Sequence, residues 1–498
     1  MNDANIKHYS LTGSTLTTVN IGWTPASEQS LRVTINGVVQ QGDTFSYSGA
    51  NLTLGGPLVA TDTLEVVGIE SVGNIITPAD NSVTTTKLAD DSVTLAKMAG
   101  LARGKIIVGD ASGDPSALTV GASTQVLTSD GTDAAWAATT SAGINLLING
   151  NMQVWQRATA ATATSTVGNT YTTVDRWKLG GVHGGAYTSE RYSMTAAEKG
   201  ITGHGFALKL VVTTADTSIA ASDRALVPQQ IEAQNLQNLK YGSASAEDLT
   251  LSFWVKSSKT GIYCVWFNKQ DATNYLLPIE YTISSADTWE QKTIAVSPTA
   301  GSTALITSAA GEITEDNGAG IQVGFMLAGG TDFHGTNNTW TTNTAAYGTS
   351  SQVNWLNTLS EDFYLTGVQL EIGTTATTFE YKTFEQELTA CQRYYEKSYD
   401  TGTNPGSATA SSAWLMRHPT AGAGAFFIPY KVSKRTNPTT VTYGRASGTS
   451  GKVTNMSGGA SDIAGAFISG GIQSTVVYWT STGSETYVEG QWTADAEL

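Results

Sequence analysis

The sequence predicts a mainly β, multidomain chain that assembles as an elongated homotrimer, and three observations carry this prediction. The chain has 498 residues, enough for three or four domains. Only 14% of the residues are charged and 52 are glycine, a composition that suits strands joined by tight turns. A ten-residue phrase occurs twice between residues 80 and 99. Its few apolar side chains cannot cover themselves, so we expect other chains to cover them.

Residues 1–75 are predicted to form a small β-domain. The alternating segment 31–35 is followed by Asn36-Gly37, which is the sequence of a tight hairpin turn. Residues 51–54 and 63–67 are further strand candidates.

The repeat reads DNSVTTTKLA and then DDSVTLAKMA. Ten residues at about 100° each fall short of whole helical turns, so one continuous helix cannot keep the apolar positions on one face. Each copy fits a turn and a short helix, with Ser82 or Ser92 near the N-cap and Lys87 or Lys97 near the end. A duplicated disordered linker is the alternative that periodicity leaves open. We interpret residues 76–100 as a shaft in which three chains cover each other.

Residues 101–143 are predicted to extend this shaft as a β collar module. Three short β runs, 106–108, 117–120 and 126–128, are separated by Gly, Asp and Pro turns. So few large apolar residues cannot form a core of their own. The module is therefore a second indication of association.

Residues 144–397 form the largest predicted unit, a two-sheet sandwich or jelly roll. Its strand candidates are 249–256, 262–268, 279–283, 321–327 and 363–372. In the last of these the apolar phase shifts across Gly367, which predicts a β-bulge.

One helix pattern is clear. It covers residues 384–397, where Phe384, Leu388 and Cys391 recur on one face, and it is expected to cap the sandwich. The Gly-, Ser- and Thr-rich segment 398–498 has strand candidates at 424–430, 441–443, 476–480 and 486–492. We predict that this segment is a small β-sandwich at the distal tip.

Blocks of this sequence resemble bacteriophage tail fibres, and the resemblance covers nearly the whole chain. LRVTINGVVQQGDTFSYSGANLTLGG resembles their N-terminal β-domain and SVTTTKLADDSVTLAKMA their short-helix repeat. RGKIIVGDASGDPSALTVGASTQVLTSDGTDAAW is similar to their collar module, although Lys105 and Val108 stand where that module usually has arginine and tyrosine. The large domain matches in order through NLLINGNMQVWQR, DRW, LSFWVKSSKTGIY, DTWEQKTI, LTGVQLEIG and TTFEYKTFEQELTACQRYYEK.

The resemblance implies a fibre of a short-tailed phage, similar to those of marine and cyanobacterial hosts. It implies that residues 144–397 form a carbohydrate-binding-module-like jelly roll. It also implies that the N-terminal domain attaches to tail adaptor or nozzle proteins and that the distal β-domains recognise a host surface glycan. The protein would be part of the virion tail and would be assembled in the host cytoplasm. Adhesion without catalysis would be multivalent, because several weak sites bind together.

Sugar binding requires exposed aromatic rings beside polar side chains, because a pyranose stacks on a ring while its hydroxyls form hydrogen bonds. Two segments have this composition, the loop-like residues 335–355 and the tip. The ligand-binding candidates are Trp340, Tyr347, Trp355, Trp414, Trp479 and Trp492. Packing in a core is the alternative for each of them.

Signatures of catalysis, metal binding and cofactor binding are not found. The sequence lacks HExxH, GxSxG and phosphate-loop motifs, and its five histidines, expected at the surface or in loops, lack metal-ligand spacing. The net charge of -15, without a run of Lys or Arg, argues against nucleic acid as a partner. No apolar stretch approaches 18 residues, which argues against membrane insertion. Cys264 and Cys391 are predicted to be buried free thiols.

Two other functions stay open at this point. A glycan depolymerase needs two carboxylates about 5 to 10 Å apart. Its candidate carboxylates are Glu361, Asp362, Glu371, Glu380, Glu385 and Glu387. The third hypothesis is a purely structural fibre that carries a separate adhesin at its C-terminus.

Overall fold

The computed structural model describes residues 6–70, 83–89, 103–113, 115–122, 125–129, 131–138, 143–159, 162–165, 168–417, 422–456, 459–481 and 487–498. The chain divides into two compact units, Met1–Val120 and Gly121–Leu498. Strands dominate the secondary structure of both units, which confirms the predicted mainly β class.

The N-terminal domain contains two small antiparallel sheets. Its strands are β1 (Ile6–Thr12), β2 (Thr18–Asn20), β3 (Leu31–Ile35), β4 (Val38–Val39), β5 (Phe45–Ser48), β6 (Asn51–Leu54) and β7 (Thr63–Ile69). The sheet orders are β1-β7-β3-β4 and β2-β6-β5, and Val33, Leu52 and Leu64 are buried in a core that both sheets share. Asn36 and Gly37 have φ angles of 53° and 79°. This left-handed pair is what a two-residue hairpin turn needs, so the predicted hairpin is confirmed.

The first repeat copy contains a short 3-10 helix, Thr85–Lys87, which agrees with the predicted short helix. The predicted N-cap residue Ser82 and residues 90–99 of the second copy lie outside the described residues. Two hairpins follow the repeat. In the first unit β8 (Ile106–Gly109) pairs with β9 (Pro115–Leu118), and in the second unit β10 (Gln125–Ser129) pairs with β11 (Ala134–Ala138). Strand β9 lies two residues before its predicted position. Strand β11 was not predicted, because its sequence AAWAA has no β-branched residue.

Two six-stranded antiparallel sheets form the large sandwich. Its strands are β12 (Thr162–Ser165), β13 (Gly168–Thr170), β14 (Leu179–Val182), β15 (Ala186–Ser193), β16 (Phe206–Thr214), β17 (Arg224–Glu232), β18 (Leu249–Ser257), β19 (Gly261–Lys269), β20 (Tyr275–Ile283), β21 (Glu290–Val296), β22 (Ala319–Gly329) and β23 (Asp362–Ile372). The front sheet has the order β13-β14-β17-β22-β19-β20 and the back sheet β12-β15-β16-β23-β18-β21. The ring centroids of Phe253 in β18 and Phe325 in β22 lie 4.9 Å apart, so the two sheets pack face to face.

The strand order identifies the sandwich as a jelly roll. Within β16 to β23 the first strand pairs with the last, β17 with β22, β18 with β21 and β19 with β20. This nested pairing across two sheets is the jelly-roll arrangement, and it confirms the prediction for the large domain.

The predicted bulge at Gly367 is also present. The pairing of β18 with β23 shifts register between Ser252 and Trp254, and Gly367 has a φ of 60°. A Cβ at this position would lie 2.3 Å from Nε2 of His204. Both the backbone conformation and the packing therefore require glycine here.

In its described residues the sandwich carries two α-helices, of which one was predicted. Helix α1 (Ala196–Thr202) begins at the capping box of Thr195 and Glu198 and ends at Gly203, which has a φ of 78°. Gly203 thus ends the helix in the left-handed conformation that glycine adopts readily. Helix α2 (Phe384–Gln392) is shorter than predicted, because Tyr395–Lys397 forms strand β24 and its backbone pairs with another strand instead of continuing the helix.

Backbone pairing joins the C-terminal strands into one branched sheet around a hydrophobic core, and the small β-sandwich at the distal tip stays a prediction. They are β24 (Tyr395–Lys397), β25 (Trp414–Arg417), β26 (Gly422–Pro429), β27 (Thr439–Tyr443), β28 (Lys452–Asn455), β29 (Ser461–Gly470), β30 (Ser474–Ser481) and β31 (Tyr487–Asp495). The order is β24-β31-β28-β29-β30-β26, with β25 and β27 also paired to β31. Because β31 pairs with four strands, it joins both parts of the sheet. The bounds of the five predicted domains stay predictions.

Candidate functional site

The segment 331–355 covers the outer face of the front sheet. Phe333, Ala346 and Tyr347 pack on Trp266 and Met326, and the ring centroids of Trp266 and Tyr347 lie 5.2 Å apart. Tyr347 is half-buried in this layer. It therefore serves the packing of the loop against the sheet, whereas its use by a ligand stays a prediction.

Trp340 and Trp355 are buried, as the core-packing alternative expects, while their use by a ligand stays a prediction. Trp340 is 2% exposed, and its indole Nε1 donates a hydrogen bond to the carbonyl oxygen of Ser297 at 2.9 Å. Trp355 is fully buried, and its Nε1 donates to the carbonyl oxygen of Asp362 at 3.1 Å. Core packing explains both positions, because burial removes the large apolar area of an indole from water.

The predicted tryptophans of the C-terminal sheet also belong mainly to a core. Trp479 and Trp492 are buried, and Trp414 is half-buried against them. The Trp414 ring stacks on Phe426 with centroids 5.0 Å apart and lies over Gly490, where a Cβ would come within 2.9 Å of the indole. Trp479 and Trp492 are therefore not exposed platforms, because their rings are packed in the hydrophobic core of the C-terminal domain.

An open cleft of about 520 Å³ lies beside Trp340. It is bounded by the turn 299–308 and by the segment 337–342, which is fixed to the edge of β20. Thr341 exchanges two backbone hydrogen bonds with Leu276, of 2.8 and 3.0 Å. Gly301 has a φ of 72°, and a Cβ there would lie 2.4 Å from the Thr339 methyl group. Glycine thus allows the two segments to approach each other closely.

The lining of this cleft combines hydroxyl groups with an apolar floor. The lining residues are Thr303, Ala304, Leu305, Ser308, Trp340, Thr341 and Thr342. The hydroxyls of Thr303 and Ser308 donate to main-chain carbonyls of their own turn and keep lone pairs that can accept from a ligand. The Thr341 hydroxyl accepts from a main-chain N–H at 3.1 Å and can still donate. Such a surface can bind a molecule that has both hydroxyl groups and an apolar C–H face.

Among the side chains that the structure describes, the most exposed ring in the C-terminal sheet was missed by the sequence reasoning. Phe427 of β26 is 58% exposed, and its neighbour across the ladder is Val476 of β30. Phe426 and Ile428 point inward from the same strand. The alternation in GAGAFFIP was the signal that could have identified Phe427 as the outward residue.

A polar and aromatic cluster occupies the outer face of the back sheet. The Glu198 carboxylate accepts hydrogen bonds from Lys256 Nζ at 2.8 Å, Tyr192 OH at 2.9 Å and Trp289 Nε1 at 3.0 Å. Lys256 Nζ also lies 4.1 Å from the Tyr364 ring centroid. Partial burial opposes ionisation, but these hydrogen bonds lower the pKa of Glu198 to about 2. The cluster therefore holds α1 on the sheet through an ionised carboxylate.

A buried ionic cluster joins the jelly roll to the end of the C-terminal sheet. Arg157 lies 3.7 Å from Asp175 and 3.3 Å from Glu497, with its guanidinium 3.7 Å from the Tyr395 ring centroid. Arg176 forms a second ion pair with Glu497. Burial raises the pKa of Asp175 to about 6 in spite of the neighbouring Arg157. These charges neutralise each other inside the fold, so we assign them a structural role.

The carboxylates considered for a depolymerase are mostly hydrogen-bond acceptors of turns. Glu371 accepts from the N–H and the hydroxyl of Thr377 at 2.8 and 2.6 Å. Glu380 accepts from the N–H of Asn145 at 2.7 Å. Glu387 is buried, which raises its pKa. A catalytic role for these groups stays a hypothesis.

Other predicted features lie as follows. Cys264 and Cys391 are free and buried, as predicted. His183 and His204 lie in loops, as expected, but both side chains are buried, because aromatic rings pack against them. Within the described ranges no group of His, Cys, Asp and Glu side chains could hold a metal ion. No helix in the part of the chain that the structure describes is long and apolar enough to span a membrane.

No protein-family model and no curated protein matches this chain. Among solved structures it is similar to a protein described as sugar binding from Bacteroides thetaiotaomicron, with 13% identity over 46% of this chain and 99% of that one, at a TM-score of 0.25. The enzymatically active domain of tailspike protein 4 of bacteriophage CBA120 matches with 12% identity over 46% of this chain and 21% of that one, at 0.21. The family 11 carbohydrate-binding module of Clostridium thermocellum cellulase Lic26A-Cel5E matches with 12% identity over 45% of this chain and 99% of that one, at a TM-score of 0.22. Values this low carry no conclusion about function, and the jelly-roll assignment depends on the strand order alone.

Proposed function

We propose that this chain is a tail fibre of a short-tailed bacteriophage and that it binds a host surface glycan without cleaving it. The observation that carries glycan binding is the cleft beside Trp340, with its hydroxyl-bearing walls and apolar floor. A pyranose presents the complementary groups, namely hydroxyls around its rim and C–H groups on its faces.

Assembly as a homotrimer is supported by the hairpins β8–β9 and β10–β11. Ile107 and Leu127 at their centres are 46% and 45% exposed. An isolated two-stranded hairpin is marginally stable in water, and neighbouring copies of the chain would cover these side chains. Val83 and Leu88 of the repeat are exposed in the same way, so neighbouring copies of the chain would have to cover apolar side chains in both segments of the shaft.

Attachment of the N-terminal domain to a tail adaptor or nozzle protein is supported by an exposed apolar patch. Ile6 of β1 lies directly opposite Ile69 of β7, and both are exposed together with Val67. A patch of this kind on a small domain is typical of a protein interface. The proposed location is the virion tail, after assembly in the host cytoplasm.

The test uses the full chain in three measurements. Light scattering is expected to give the mass of three chains, and a monomer would contradict the shaft. A glycan array is expected to show binding, and no binding by the intact trimer would favour a structural fibre with a separate adhesin. Incubation with host polysaccharide is expected to release no reducing ends, whereas steady release would identify a depolymerase.

A further inference from the structure

We infer that the cleft beside Trp340 selects neutral glycans and excludes acidic ones. This inference rests on the proposed function, since it names the chemical class of the ligand at the same site. It follows from the distribution of charge around the cleft and from the hydrogen-bonding state of its hydroxyl groups.

The segment that builds the cleft contains no basic residue. Between Lys292 and Lys382 the sequence has no Lys or Arg but eight Asp or Glu residues. Four of the eight lie in, next to or after β23 of the back sheet, namely Glu361, Asp362, Glu371 and Glu380. Both walls of the cleft, 299–308 and 337–342, lie inside this interval. The whole chain has a net charge of -15. The negative charge of the whole chain therefore opposes the approach of an acidic polymer at low salt.

Lys240 is exposed and pairs with Glu247; it lies two residues before Gly242, whose N–H donates to the carbonyl oxygen of Ile306 in one wall of the cleft. Two other basic residues near this segment, Lys269 and Arg224, also have partners. Lys269 is fully buried, and its ammonium donates to three main-chain carbonyls, those of Asp271, Thr273 and Ala310. The guanidinium of Arg224 lies 4.5 Å from the Phe333 ring centroid. Neither side chain lines the cleft, so neither is positioned to pair with an acidic sugar.

The lining itself suits an uncharged ligand. Four of its seven residues carry hydroxyls and none is ionisable. The Thr342 hydroxyl makes no hydrogen bond to another described residue and is exposed, while Thr303 keeps acceptor lone pairs after donating to its own turn. These two groups can exchange hydrogen bonds with sugar hydroxyls. A carboxylate or sulfate in the same place would lose part of its hydration without gaining a cation.

The experiment measures binding of the full-length protein to two panels of oligosaccharides. The neutral panel contains glucans, galactans and mannans, and the acidic panel contains polygalacturonate, polysialic acid and heparin fragments. We compare the wild type with Thr303→Ala, Thr342→Ala and the matched control Thr213→Ala, which alters an exposed threonine on the back sheet. Circular dichroism and light scattering of each variant verify fold and mass.

The expected result is binding to at least one neutral glycan that is unchanged between about 50 and 500 mM NaCl. Each cleft variant should weaken it about two- to tenfold, the effect of one hydrogen bond, and Thr213→Ala should not change it. Preferential binding of an acidic glycan would overturn the inference but would still agree with the proposed function of glycan binding. Neutral binding that both cleft variants retain would also overturn it, because the ligand would then bind elsewhere. The absence of binding to either panel by a folded trimer would overturn the proposed function as well.

Discussion

Replacement of Gly367 by alanine tests the local geometry of the jelly roll most directly. The φ of 60° costs an alanine about 1–2 kcal/mol relative to glycine. The new Cβ would lie 2.3 Å from Nε2 of His204, whose ring is held by Phe379 and Tyr381 with centroids at 4.8 and 5.5 Å. Overpacking of this kind costs about 1–3 kcal/mol. We therefore expect Gly367→Ala to lower the free energy of unfolding by about 2–5 kcal/mol.

A double-mutant cycle with His204→Ala separates the two contributions. Without the imidazole, Gly367→Ala should lower the free energy of unfolding only by the contribution of the strained φ angle. The coupling energy between the two positions should therefore be about 1–3 kcal/mol. Urea unfolding followed by tryptophan fluorescence measures each variant. Gly200→Ala in α1 is the control, because a Cβ there has no neighbour within 4 Å. An equal cost of Gly367→Ala in both backgrounds would show that His204 does not contact this position, and no cost in either would refute the bulge.

Three further predictions concern charge and association. Burial lowers the pKa of His204 to about 4, below that of an unfolded histidine, so protonation opposes folding. Relative to His204→Gln, the wild type should lose about 3 kcal/mol of stability as pH falls from about 6.5 to 4, and parallel pH profiles would contradict this. Arg176→Ala leaves Glu497 buried beside one cation fewer and should lower stability by about 3–5 kcal/mol in thermal unfolding, whereas an unchanged Tm would contradict the ionic cluster. Ile107→Asp and Leu127→Asp should each reduce the trimeric fraction in sedimentation, because a charge at a covered apolar position opposes association; unaffected trimers would remove the hairpins from the interface.

Local signals in the sequence led to correct predictions where one or two residues decide the conformation. Asn36-Gly37 identified a hairpin and Gly367 a bulge, because positive φ angles restrict the choice of residue there. The extent of helix α2 was wrong at its C-terminal end. The apolar spacing continues to Tyr395, but Tyr395–Lys397 pairs with β31, about 100 residues away along the chain. A helical pattern in sequence contains no information about that competing partner.

In the candidate site, too, the sequence predicted the local composition correctly but not which side chains are buried. Composition and spacing predicted that residues 335–355 would bring aromatic and polar side chains together, and the structure does place Trp340 beside a hydroxyl-lined cleft. The sequence could not distinguish a platform from a core ring. That Trp340 donates to Ser297 and lies inside, whereas Phe427 lies outside, depends on which strand faces pack against each other.

By itself, the sequence determined the mainly β class, the tight turns and the positions where a positive φ angle requires glycine. It also determined that the repeat and the hairpins have too few apolar residues to form a core of their own. These features depend on backbone sterics and on composition, which act over a few residues. The tertiary structure alone decided the jelly-roll strand order, the burial of the tryptophans and the chemistry of the cleft. Burial and pairing join residues that are distant along the chain, so their free energy depends on contacts that exist only in the folded protein.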